Sequence, residues 1–195
     1  MPADNLKEEV LMKSIRVIKG DITKLTVDAI VNSANRSLLG GGGVDRAIHR
    51  AAGRDLLLEC MTLNGCNPGS AKVTNAYRLP AKRIIHAVGH PWLGGGSGEK
   101  ACLASAYKAA LDIAEAEELE SVAFPCISRG IHRFPAGIAA DIALEVIRTP
   151  TYPGKVIICC ATDEDYEVYC KRLCGASASS SSDDLSRVCG NFLEK

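Results

Sequence analysis

Short apolar runs alternate along this chain with stretches whose apolar positions recur every three or four residues. Ile15, Val17 and Ile18 predict a strand that stops at Gly20 and Asp21, and Ala29, Ile30 and Val31 predict a second, buried strand ending at Asn32. After a run of glycines, Val44, Ala47, Ile48, Ala51 and Ala52 fall at helical spacing until Gly53. A helix therefore starts where a glycine loop stops. Residues 55–63 read as a further helix closed by Asn64 and Gly65, and residues 71–76 and 83–88 as strands separated by a Leu79-Pro80 turn. Residues 99–116 place Cys102, Ala106, Ala109, Ala110 and Ile113 on one helical stripe, residues 122–126 read as a strand, and Pro135 opens a helix whose buried side carries Ile138, Ile142 and Val146. Residues 155–160 form the last apolar strand. Residues 163–173 follow as a helix with an acidic first turn, which suits the helix dipole.

Strands alternating with helices, at more than hairpin separation, predict an α/β domain with a largely parallel or mixed sheet covered on both faces. Such sheets bind ligands beyond the carboxyl ends of their strands. The domain is expected over residues 15–175, after a polar extension at 1–14 and before a serine-rich linker that begins at 176. Residues 185–195 are expected to form a short amphipathic helix ending the chain.

Composition narrows the function classes. At 195 residues the chain suits one domain with a tail, and its 47% hydrophobic content supports a sizeable core. Lys plus Arg and Asp plus Glu both number 23, so no global field draws in a polyanion, and nucleic acid is disfavoured as a partner. No stretch approaches the ~20 apolar residues of a membrane span, and no export signal opens the chain. Nine cysteines, an odd number set mostly in apolar segments, indicate reduced thiols in the cytoplasm or nucleus. No Cys-x-x-Cys pair is present, so neither a metal nor a cofactor is expected. A monomer is the default.

Three strand ends lead into small or polar loops: Gly20 to Thr23, Asn32 to Asp45, and Ser128 to Pro135. Together at one sheet edge they would form a cleft. In the central loop, Gly40 to Gly43 let backbone amides approach an anion while the helix starting near Val44 aims its positive end there, which suits a diphosphate. A glycine run alone is as often a slack connector, but this one joins a buried strand to a core-facing helix. Asp45 and His49 share a helical face four residues apart. Beside a phosphate loop, Asp45 must face the sugar. A dehydrogenase is set aside because the first strand is not followed by Gly-x-Gly-x-x-Gly.

The runs Gly20-Asp21-Ile22-Thr23, Val27 to Asn35, Leu38 to Asp45, Ala47 to Gly53 and Ile84 to Gly89 together resemble the macrodomain family, specifically its MacroD-type ADP-ribosylhydrolases, over roughly residues 15–173. The resemblance implies a three-layer α/β/α sandwich with a mixed central sheet, and a hydrolase that removes mono-ADP-ribose from acidic side chains of proteins. Deacetylation of O-acetyl-ADP-ribose is implied as a second activity. A reader that binds without cleaving is the alternative. Partners would be ADP-ribose and mono-ADP-ribosylated proteins, with nucleic acid admitted only through ADP-ribosylated ends.

By this resemblance Asp21, as a buried carboxylate, accepts the adenine amino group beside the Ile22 amide. Asn35 binds the distal ribose, and Asp45 holds or activates the water near its anomeric carbon; alternatively the ligand's own phosphate orients that water. Gly42, Gly43 and Val44 face the phosphates, as do Ser128, Arg129, Gly130, Ile131 and His132 across the cleft. Asn32 and His49 support the site from behind. The second loop departs from the family's Ser-Thr-Gly-(Ile/Val)-(Tyr/Phe)-Gly-(Tyr/Phe)-Pro, since it reads Ser128-Arg129-Gly130-Ile131-His132-Arg133-Phe134-Pro135. If Arg133 must adopt a left-handed backbone, it costs roughly 1 to 2 kcal/mol. Pairing of Arg129 and Arg133 with the diphosphate is expected to offset that cost.

Overall fold

The longest apolar runs become the inner strands of one sheet. The computed structural model describes residues 15–149, 151–175 and 189–191. Its elements in chain order are β1 (Ile15–Lys19), a 3-10 turn (Ile22–Lys24), β2 (Val27–Ala34), α1 (Gly43–Ala52), α2 (Arg54–Thr62), β3 (Ala71–Asn75), β4 (Ala81–Val88), α3 (Glu99–Ala116), β5 (Ser121–Pro125), α4 (Ala136–Ile147), β6 (Lys155–Cys160), α5 (Asp163–Gly175) and β7 (Cys189–Asn191). The sheet order is β3-β4-β2-β5-β6-β1-β7. Among the described strands only β3 runs antiparallel, against β4, so the sheet is mixed as expected.

Successive strand residues feed opposite faces because side chains alternate along a strand. Val17, Ala29, Val31, Ile85, Val122 and Phe124 join one buried cluster with α3, α4 and α5, whereas Ile18, Ile30, Ile84 and Ala123 join another with α1 and α2. This is the three-layer α/β/α arrangement. Covered on both sides, the inner strands have no solvent face to mark with polar residues, and their sequence reads as continuous apolar runs.

Two helical stripes are turned by about one residue from the expected ones. In α3 the buried positions are Leu103, Ala106, Tyr107, Ala110, Leu111 and Ala114, with Cys102, Ala109 and Ile113 on the flank. In α4 they are Ala139, Ala140, Ala143, Leu144 and Ile147, while Ile138, Ile142 and Val146 are only partly buried. Alanines alternate with Leu103, Tyr107 and Leu111 along the buried stripe of α3, so small and large side chains interlock against the neighbouring layers.

The second strand also differs from expectation. β2 runs on to Ala34, so Asn32 lies inside the strand opposite His86 of β4 rather than ending it. At the far edge, residues 189–191 pair in parallel with Val17, Ile18 and Lys19, correcting the amphipathic helix expected there. The unpaired backbone groups of an edge strand are a strong template, and they outweigh a weak helical pattern. The expected extension at 1–14 and the serine-rich linker from 176 lie outside the described residues. No helix of the described residues is long and apolar enough to cross a membrane.

Candidate functional site

The carboxyl ends of the parallel strands β1, β2, β5 and β6 open into one cleft of about 550 Å³. All three expected loops line it. Asp21 and Ile22 come from the end of β1, Asn35 with Gly42, Gly43, Val44 and Asp45 from the β2–α1 loop, and Ser128, Arg129, Gly130, Ile131 and His132 from beyond β5. A fourth wall, Cys159 near the end of β6 with Ala161, Thr162 and Asp165 beyond it, was not anticipated. The rule that ligands sit beyond strand ends would have pointed to it, since residues 155–160 were read as a strand.

Sterics shape the glycine loop. Gly40 has φ +89°, open to glycine at little cost, and a Cβ on Gly41 would stand 2.9 Å from Asp45 Oδ2 and 3.1 Å from Asn35 Nδ2. Gly41 is thus the point where backbone, Asp45 and Asn35 crowd together. No side chain caps the start of α1 at Gly42, which leaves the first amides of the helix free for an anion. Asn35 staples its own loop: Nδ2 donates to Gly40 O at 2.7 Å, and Oδ1 accepts from Ser37 N, Ser37 Oγ and Leu38 N. Its remaining N–H can donate to a ligand, but its oxygen is fully engaged.

Behind the loop lies a buried polar chain. Asn32 Nδ2 donates to Asp45 Oδ1 at 2.8 Å and to His86 Nδ1 at 3.1 Å. Because Nδ1 accepts, His86 carries its proton on Nε2 and donates it to Thr74 Oγ1 at 3.0 Å, and Thr74 in turn donates to Asn75 O. Burial, reinforced by nearby His49, pushes the His86 imidazole down to about 3, so it stays neutral. His49 Nε2 lies 3.4 Å from Asp45 Oδ1. Burial raises the Asp45 carboxyl above its ordinary range, opposed by the Asn32 hydrogen bond and by His49. Asp45 Oδ2 is buried with no partner. One oxygen of Asp45 is therefore fixed and the other is left bare beside Gly41 and Asn35.

His49, Cys60 and His86 bring three atoms able to ligate a metal within 4.8 Å of one another, although no Cys-x-x-Cys spacing marks them in the sequence. Both nitrogens of His86 are already committed, to Asn32 and Thr74, and a metal would have to displace one of them. His86, Thr74 and Cys60 escaped the sequence reading because strand register and the packing of α2 on the sheet, not local spacing, place them behind Asp45.

Two expectations need correction. Asp21 is exposed rather than buried, and its Oδ1 accepts from Thr23 N and Oγ1, because it caps the 3-10 turn; one oxygen remains for a ligand. Arg129 and Arg133 do not form a free guanidinium pair facing a diphosphate. Arg129 is bound by Asp165, Glu164 and Phe134 O, and exposed Arg133 is not part of the cleft wall. Arg133 does adopt the strained backbone considered above, with φ 52°. His132 lines the cleft with Nδ1 3.3 Å from Ser128 Oγ, and burial together with His90 lowers its pKa.

A neighbouring loop stiffens this side. Trp92 N donates to His132 O at 2.9 Å, and the Trp92 and Phe134 rings meet at 4.7 Å. The Glu99 carboxylate accepts from Leu93, Gly95 and Ser97 amides and, helped first by its own amide, is held down to about 2. That loop is organised around an internal anion rather than an external one.

Known proteins are similar to this chain in sequence and fold. The Macro domain profile matches residues 31–143. A Macro domain-containing protein of Mesorhizobium japonicum is 54% identical over 159 residues, covering 80% of this chain and 90% of that protein. ADP-ribose glycohydrolase MACROD1 of Rattus norvegicus is 48% identical over 173 residues, covering 86% of this chain and 67% of that protein. Among solved structures, an Oceanobacillus iheyensis macrodomain mutant with ADPR superposes at a TM-score of 0.81 and 36% identity, covering 85% of this chain and 94% of that one. A Trypanosoma brucei macrodomain in complex with ADP-ribose gives 0.76 and 35%, over 85% and 72%. Profile, relatives and fold agree: the chain belongs to the macrodomain family.

Proposed function

We propose that the cleft binds ADP-ribose and that the chain hydrolyses the bond joining mono-ADP-ribose to acidic side chains of proteins. The observation that carries this reading is Asp45, with Oδ1 held by Asn32 and Oδ2 bare, buried and next to Asn35 at the uncapped start of α1. Relatives named ADP-ribose glycohydrolase, and neighbours solved with ADP-ribose, support it.

The diphosphate takes the free amides of the Gly42–Val44 turn and the facing 128–132 loop. Asp21 retains one oxygen for the amino group of the base. With the phosphates anchored, the distal ribose comes to Asn35, whose spare N–H donates to a hydroxyl. Water held at Asp45 Oδ2 attacks the anomeric carbon of that ribose. The bond from this carbon to the carboxyl oxygen of the modified side chain breaks, and the carboxylate leaves. The proton of the water passes to Asp45, whose burial raises its affinity for one. The products are free ADP-ribose and the restored acidic side chain. An acetyl ester on the same ribose would lie within the same cleft, so O-acetyl-ADP-ribose is proposed as a second substrate.

Release of ADP-ribose from a mono-modified protein, with calorimetric titration of ADP-ribose, tests this. Asp45→Ala should lower turnover by about 100-fold to 10,000-fold, the usual contribution of a positioned acid or base, while binding remains measurable. Wild-type turnover in that variant, or no heat from saturating ADP-ribose with the native chain, would overturn the reading.

A further inference from the structure

The loop after β5 contains a conformational difficulty and, next to it, a device that answers it. Ser128 and Arg133 both have left-handed backbones, with φ 63° and 52°, which L side chains adopt reluctantly. Three internal hydrogen bonds shape the turn: Arg129 N to Cys126 O, Arg133 N to Gly130 O and Phe134 N to Ser128 O. They define its course but tie it to nothing outside itself.

Outside the loop, Trp92 N donates to His132 O and Ser128 N to Ser33 Oγ, and Arg129 supplies the tie to α5. Its Nη1 crosses the loop to Phe134 O at 2.5 Å, immediately after the second strained residue. Its Nε donates to Asp165 Oδ1 at 2.5 Å and its Nη2 to Glu164 Oε2 at 2.8 Å, both in the first turn of α5. Asp165 is in turn fixed by Thr162, whose Oγ1 donates to Oδ2 at 2.9 Å and accepts from the Asp165 amide. The two acids differ in exposure: the Glu164 side chain is 70% exposed and the Asp165 side chain 7%. Asp165 is the firm end of the contact, since an exposed pair gains little.

We infer that Arg129 is a positioning residue rather than a phosphate ligand, its fork riveting the 128–134 loop to the start of α5 so that the loop's amides are already arranged for an anion. With all three of its nitrogens engaged and two carboxylates beside it, the guanidinium has little charge left to offer a diphosphate. The inference rests on the proposal that this loop meets the diphosphate of ADP-ribose. A planar fork is essential to it, because one ammonium cannot reach a carbonyl and two carboxylates on separate elements.

The test combines two measurements on the full chain: calorimetric affinity for ADP-ribose, and amide hydrogen exchange across residues 128–134 without ligand. Arg129→Ala, Arg129→Lys and Asp165→Asn should each speed exchange in the loop and raise Kd, by about tenfold for the Arg129 variants. Glu164→Gln should stay near wild type. Turnover at saturating substrate should fall less than threefold, so that the loss is in KM and not in kcat. Retained affinity in Arg129→Lys, or lost affinity with unchanged exchange in Arg129→Ala, would make Arg129 a direct ligand and overturn the inference. If the native chain shows no binding while exchange in Arg129→Ala still rises, the ADP-ribose reading falls and the rivet stands. Should Arg129→Ala fail to fold, Arg129→Lys and Asp165→Asn decide alone.

Discussion

The two loops that face each other across the cleft reach a defined shape by opposite means. The 35–43 loop uses glycines where space or φ is scarce, at Gly40 and Gly41, and braces them with the Asn35 side chain. Its one non-glycine at positive φ is Leu38, whose side chain is fully buried. The 128–134 loop has side chains at two left-handed positions, and an arginine bound to α5 holds it. In the first loop absence of side chains leaves room for reactive groups, and in the second an added side chain restores order. One loop is thus sensitive to an atom added at Gly41, the other to the loss of a particular contact.

The sharpest way to break this contrast is Gly41→Ala. Its φ is not in the left-handed region, so the backbone tolerates alanine, yet the new Cβ would lie 2.9 Å from Asp45 Oδ2 and must displace it or Asn35. A shift of that kind should cost about a hundredfold in kcat. Gly42→Ala is the control within the same loop, because its Cβ meets nothing within 4 Å and its φ is −105°. Equal activity in the two variants, measured by release of ADP-ribose, would show that the crowding at Gly41 has no functional weight.

The sequence made this first loop legible and the second only partly so, for a physical reason. Glycine runs, Asn35 and Asp45 act within one short segment, so spacing alone brings them together. Strand and helix existence was equally local, and most boundaries matched to within a residue or two. Arg129 could not be assigned its partners, because Asp165 stands 36 residues away and reaches it only after β6 joins the sheet beside β5. Likewise the Asn32–His86–Thr74 chain depends on β2, β4 and β3 lying side by side. The helical stripes were read about one residue out because α3 and α4 carry apolar residues on nearly every side, so periodicity alone does not select the buried face.

A smaller effect sharpens the comparison from the side of stability. Burial raises the Asp45 carboxyl above its unfolded range, so between those two values the native state binds more protons than the unfolded one and stability falls as pH rises. Above both, a fixed penalty remains. Asp45→Asn keeps an oxygen to accept from Asn32 and removes the charge. It should therefore melt higher than wild type at pH 7, with the gain vanishing below the ordinary carboxylate range while activity stays lost. A variant that melts lower at pH 7 would mean that the charged carboxylate is favourably held, and that the first loop carries no functional cost in stability.

The mildest prediction concerns Arg133→Gly. Glycine removes the left-handed penalty of roughly 1 to 2 kcal/mol, but it also loosens the unfolded chain by about 0.4 to 1 kcal/mol, so a net rise in Tm of no more than about 6 °C is expected. If Arg129 already holds the loop, relief of strain has no disorder left to correct, and kcat/KM should change less than twofold. Adding His132→Tyr tests the neighbouring departure in the same assay. A severalfold rise in turnover from Arg133→Gly alone would mean that strain, and not the arginine contact, governs the loop, and the contrast between the two sides of the cleft would collapse into one shared need for glycine.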